Sequence, residues 1–213
     1  DGDADGDGDA DGDGDADGDW PNANSALGMN IAPPGLSSDA TFVDLMHMSE
    51  GFLDEHWRTY EPVDSNGYPL SVTERTEVHA PVIQEAMAPH YPAGTYVLLY
   101  EGTGEVTVDA PSVVVSEPEL QSDGITWRRT VEYTPAFGDV RVILLRSDAS
   151  DPVHNIRFLL PGTESTHQTQ WFNPQFLNNW RRYGVIRVLH PMYVWDFQME
   201  GEVHRTDVNW EDR

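Results

Sequence analysis

Ten aspartates occupy alternate positions at the start of the sequence: Asp1, Asp3, Asp5, Asp7, Asp9, Asp11, Asp13, Asp15, Asp17 and Asp19. Carboxylates at that spacing suit a hard, oxygen-seeking cation, so Ca2+ is the cofactor this stretch suggests. The unit DGDADG is written three times, and its first copy matches half of an EF-hand loop, with Asp1, Asp3 and Asp5 at positions one, three and five and Gly6 at the sharp turn. Position twelve is Gly12 instead of the bidentate Glu, and no apolar helix flanks the loop. The repeat therefore reads first as a self-repelling tether that Ca2+ would shorten, and second as a set of ordered calcium sites.

The other residues suited to chemistry are aromatic. Carbohydrate surfaces use exposed rings, because the C–H faces of sugars stack on them while nearby polar side chains bond the hydroxyls. Trp57, Tyr68, Trp127 and Trp171 lie near expected loops or strand ends and are the candidates for such a surface, although most Trp and Tyr side chains serve packing. The eight histidines, at 47, 56, 79, 90, 154, 167, 190 and 204, form no compact ligand pair of the HExxH kind. Glu50, Asp54 and Glu55 cluster near His47 and His56, a pattern typical of a solvated face. There is no GxSxG elbow and no phosphate-binding glycine loop, and the absence of Cys excludes thiolate ligands and cysteine nucleophiles.

Charge narrows the partners. The 213 residues carry a formal charge of −25, and all 12 basic residues are Arg. So acidic a chain repels nucleic acid, and no apolar run is long enough to enter a membrane as a spanning helix.

The elements that must position these residues read as follows. Residues 1–19 are the Asp/Gly/Ala linker, and 20–34 are an irregular lead-in. Residues 35–165 are expected to form an antiparallel β-sandwich or jelly roll. "GTYVLLYEGTGEVTVDA" reads as a hairpin about Gly102 and Gly104, and "SVVVSE", "ITWRRTVEYTP", "DVRVILLRSD" and "VHNIRFLLPG" continue the strands. One or two short helical turns are expected between residues 40 and 57, and Asn66-Gly67 marks a turn. Residues 166–213 form a helix-strand segment. "FNPQFLNNWRRYG" has Asn173 as cap, Pro174 at the first helical position and Gly184 past the end, and the apolar "VIRVLHP" follows. The first residue is not Met and the last run is "NWEDR", so the sequence is expected to be cut from a longer precursor.

Three stretches together, "GMNIAPPG…TFVDLMHMS…W" with "DSNGYPLSV", "YPAGTYVLLYEGTGEVTV", and "DPVHNIRFLLPGTEST…FNPQFLNNWRRYGVIRVLHPMYVW…VNWEDR", resemble the N-terminal region of large secreted bacterial glycoside hydrolases and cellulose-binding proteins. The resemblance spans most of residues 27–213, although the family's Trp-containing lead-in is replaced by "APPGLSSDA". It implies a β-sandwich preceding a (β/α)8 barrel, with Val185–Leu189 as the first barrel strand and an extracellular or cell-surface location. A barrel enzyme assembles its carboxylates from several strands, so this stretch is expected to be non-catalytic and to hold polysaccharide or support the downstream barrel of the same chain. Two alternatives follow: a calcium-dependent structural or adhesion module, or a fragment of an active glycoside hydrolase whose catalytic residues lie beyond Arg213.

Overall fold

The computed structural model describes residues 28–31, 40–73, 77–180 and 185–188, and within these the protein is mainly β, with antiparallel sheets and one short helix. The strands are β1 (Gly28–Ile31), β2 (Leu53–Asp54), β3 (Val78–Ile83), β4 (Gly94–Glu101), β5 (Gly104–Asp109), β6 (Val113–Val115), β7 (Glu119–Leu120), β8 (Thr126–Tyr133), β9 (Val140–Ser147) and β10 (His154–Leu159). Helix α1 (Pro174–Trp180) and strand β11 (Val185–Val188) follow. The Asp repeat of residues 1–19 lies outside the described residues, as do Gly184 and Leu189.

Two antiparallel sheets share one core. One runs in the order β10-β4-β8-β6, with β7 also on β8, and the other runs β2-β3-β9-β5. Strands β4 and β8 pair along their whole length, from Gly94 opposite Tyr133 to Glu101 opposite Thr126. Alternation then turns Tyr96, Leu98 and Tyr100 of β4 inward to meet Val106 and Val108 of β5, Val142 and Leu144 of β9 and Phe158 of β10. Burying a side chain such as Phe158 contributes about 1.5–3 kcal/mol, so this interior is the main source of stability. The second face of β4 is also covered, since Val97 and Leu99 form a smaller apolar cluster with Leu159.

Two sequence expectations change here. The Gly102 to Gly104 turn does not close a hairpin: β4 bonds to β8 and β10 whereas β5 bonds to β9, so the turn carries the chain from one sheet to the other. Gly102 has φ +88, and a Cβ there would collide with the Pro152 carbonyl, which ties this crossing to the loop before β10. The lead-in expected to be irregular contains β1, which pairs in parallel with β11, Gly28 opposite Val185 and Ile31 opposite Val188. Strand β3 was not singled out in the sequence because Pro81 interrupts it. The register of β3 against β9 shifts between Pro81 and Ile83, the kind of irregularity at which a strand tolerates proline.

Other local expectations match. A 3-10 turn spans Leu45–Met48. Helix α1 starts at Pro174, and the Asn173 side chain accepts the Gln175 N–H at 3.0 Å. No helix among the described residues is long and apolar enough to cross a membrane.

Candidate functional site

Strand β10 is the edge of its sheet, and a cleft of about 570 Å3 opens beside it. Four separate segments build its walls: the turn around residues 43–52, the loop at 66–68, the start of β10 at 155–157, and residues 167–171.

The first wall begins at Asp44. Its Oδ1 accepts the Met46 N–H at 3.0 Å, which caps the 3-10 turn, and the Phe158 N–H at 3.0 Å, which fastens the turn to β10. Burial pushes this carboxyl above the usual carboxylate range, against the pull of the two N–H groups and of His47 and Arg157. One turn later, His47 brings Nε2 to 4.0 Å from the Asp44 Oδ2. Its ring stacks on Trp171 with centroids 5.7 Å apart and planes 14° from parallel. The Trp171 carbonyl accepts the Val43 N–H at 2.9 Å, so this wall is closed by backbone pairing as well. Trp171 remains 62% exposed, with aromatic surface facing solvent.

The second wall is set by Asp64, whose Oδ1 accepts the N–H groups of Asn66 and Tyr68, both at 2.8 Å. This side-chain turn, with Gly67 at φ +85, presents Tyr68 to the cleft while its ring packs on Phe52 at 6.1 Å. Burial raises the Tyr68 phenol above its ordinary value, opposed by the Ile156 backbone.

The third wall is a β-bulge. His154 lies opposite Glu101 and Arg157 opposite Leu99, so three steps on β10 face two on β4. Asn155 absorbs the extra residue with φ 50, a left-handed conformation that Asn adopts more readily than most residues. The insertion reverses the in-out alternation beyond it and places Arg157 on the face opposite the core residues Ile156 and Phe158.

The fourth wall follows Leu160. Glu164 there receives a two-pronged bond from Arg128 at 2.6 and 2.9 Å, and each partner holds the other charged. His167 places Nδ1 at 2.7 Å from the Glu164 carbonyl, which can only accept, so Nδ1 carries the proton. Its Nε2 is buried without a hydrogen-bond partner among the described residues.

Of the four aromatic candidates, Tyr68 and Trp171 line this cleft together, and Trp57 and Trp127 do not. Trp57 has φ 62 and stands edge-on over buried His79, with centroids 4.9 Å apart. Trp127 is half-buried against the core and stacks on Tyr100, its cross-strand neighbour, at 6.5 Å. The calcium candidates Asp1 to Asp19 fall outside the described residues. Among the described residues no group of three or more His, Cys, Asp or Glu side chains is placed to hold a metal ion. Sequence reading missed Asp44, Asn155 and Arg157. The first had a faint signal in its spacing of three from His47, while the other two looked like ordinary strand positions.

An aromatic platform with a guanidinium, amides and one buried carboxyl around it can hold a small polar ligand by stacking and hydrogen bonding. Comparisons with protein-family models, with curated proteins and with solved structures return no match.

Proposed function

We propose that the two sheets form a β-sandwich that acts as a non-catalytic, carbohydrate-associated domain of an extracellular or cell-surface polysaccharide-active protein. In this reading the Asp repeat is a tether that takes up Ca2+, and the segment 166–213 leads into a (β/α)8 barrel. The observation that carries the proposal is the joining of Trp171 and Tyr68, with Asn66, Asn155 and Gln168, in one cleft. Rings offer sugar C–H faces a stacking surface, and amides both donate and accept toward hydroxyls. Among the described residues Asp44 is the one carboxyl lining this cleft, whereas glycoside hydrolysis draws on a pair, which favours holding a saccharide over cutting it. The parallel pairing of β1 with β11 is compatible with an α/β unit beginning there.

The test is retention of the intact chain on a panel of plant and algal polysaccharides by affinity electrophoresis. Binding is expected, and Trp171→Ala should weaken it about thirtyfold, the effect of losing a central aromatic worth about 2 kcal/mol. Repeating the panel with Ca2+ and with a chelator reads the contribution of the repeat. No retention on any polymer would sink direct binding.

A further inference from the structure

Arg157 is set apart from most of the arginines in this acidic chain. Among the described residues, Arg58, Arg128 and Arg141 each face a carboxylate at 3.5 Å or less, and Arg129 bonds two backbone carbonyls at 2.7 and 2.8 Å. Arg157 lines the cleft and forms no ion pair with any described carboxylate. Asp44 is the acidic side chain that lines the same cleft among the described residues, and it is bonded through Oδ1 to two backbone N–H groups. The β-bulge at Asn155 sets the face of β10 that Arg157 takes, and Arg157 lines the same cleft as Tyr68 and Trp171, at the cost of a left-handed backbone conformation at a non-glycine residue.

We propose that the cleft selects an anionic sugar residue, a uronate or a sulfate ester, whose acidic group takes the planar fork of Arg157 while its ring lies on Trp171. This rests on the carbohydrate reading above and narrows its ligand. A guanidinium fork matches the paired oxygens of either group, and its bonds to an anion are about twice as strong as neutral ones. The formal charge of −25 disfavours an acidic polymer at long range. At physiological salt that repulsion is screened over about 8 Å, whereas a direct contact in a half-enclosed cleft is screened much less. Selectivity then comes from the cation that lines the cleft and forms no ion pair with a described carboxylate.

The experiment is calorimetric titration of the intact chain at physiological salt with two matched pairs: an oligogalacturonate and its carboxyl-reduced form, and a sulfated galactan oligosaccharide and its desulfated form. The acidic member of at least one pair is expected to bind about tenfold tighter or more. Arg157→Gln should erase that preference by weakening the acidic member far more than the neutral one, while Arg157→Lys should keep part of it. Which pair responds distinguishes carboxylate from sulfate. Equal affinity within both pairs, or a loss on Arg157→Gln that is the same for acidic and neutral members, overturns the anionic reading and leaves the carbohydrate reading standing. Absence of binding by all four overturns the anionic reading, and the polysaccharide panel above decides the carbohydrate reading.

Discussion

His79 is the residue whose surroundings make the clearest demand on pH. It lies in β3 at 1% exposure beneath Trp57, and among the described residues neither ring nitrogen has a hydrogen-bond partner, Nδ1 standing 3.6 Å from the Glu77 Oε1. Burial, helped by the Arg141 guanidinium, holds the imidazole below its ordinary value, against Glu77, Asp54 and Asp139. The unfolded chain therefore binds the proton more readily than the folded one. Stability from this site is intact above about pH 6.5 and is lost as the pH falls below it. The carboxylates held low, Asp54, Asp123, Asp148 and Glu164, act in a separate window, starting near their ordinary values of 3.8 and 4.5. His79→Phe keeps an aromatic edge under Trp57 and removes two buried nitrogens that lack hydrogen bonds, of which Nδ1 faces Glu77 and Nε2 is unpaired among the described residues, a burial that costs about 1–3 kcal/mol. Thermal unfolding at pH 5.5 and pH 8 is expected to show stabilisation at both, larger at pH 5.5. Equal effects would mean that the ring does not titrate on unfolding. Nothing in the local sequence "EVHAPV" announces this, since burial of one imidazole is decided by a loop about twenty residues away.

At the scale of elements, the connection from β4 to β5 is the point where composition misled. Two β-rich runs around EGTGE satisfy every local rule for a hairpin, yet the strands join different sheets. Turn chemistry fixes where the chain bends, while partner choice follows from which apolar face must reach the shared core. The crossing is tight: a Cβ on Gly104 would collide with the Arg146 carbonyl and the Val153 side chain. Gly104→Ala is therefore expected to cost more than about 2 kcal/mol in urea unfolding, because backbone has to move, whereas Gly124→Ala, at φ +75 with open space around it, should cost about 1 kcal/mol. Similar losses at the two positions would argue against the crossing. Helix α1 is the opposite case, for Asn173 and Pro174 act within a few residues and the element starts where those two residues put it.

For the molecule as a whole, Arg129 couples the two sheets. It projects from β8 at 7% exposure and donates to the carbonyl of Val106 in β5 at 2.8 Å and to that of Ser116 at 2.7 Å. Arg129→Met removes the charge but leaves both acceptors, and hydrogen bonds from a charged donor are each worth about 1.5–3 kcal/mol. The urea midpoint should fall by an amount corresponding to about 2–4 kcal/mol, with the transition remaining single because the core is shared. Two separated transitions would mean that the sheets unfold independently. Alone, the sequence determined the β-rich composition, the turn at Asn66-Gly67, the cap at Asn173 and the strongly acidic charge, all properties of single residues or near neighbours. Only the tertiary structure decided that Tyr68 and Trp171, but not Trp57 and Trp127, share a cleft, and that Asp44 and Arg157 join them. Those four side chains come from four segments spread over more than a hundred residues, and a bulge at Asn155 sets the face that Arg157 takes. Strand pairing and core burial brought them together, and no short-range pattern encodes either.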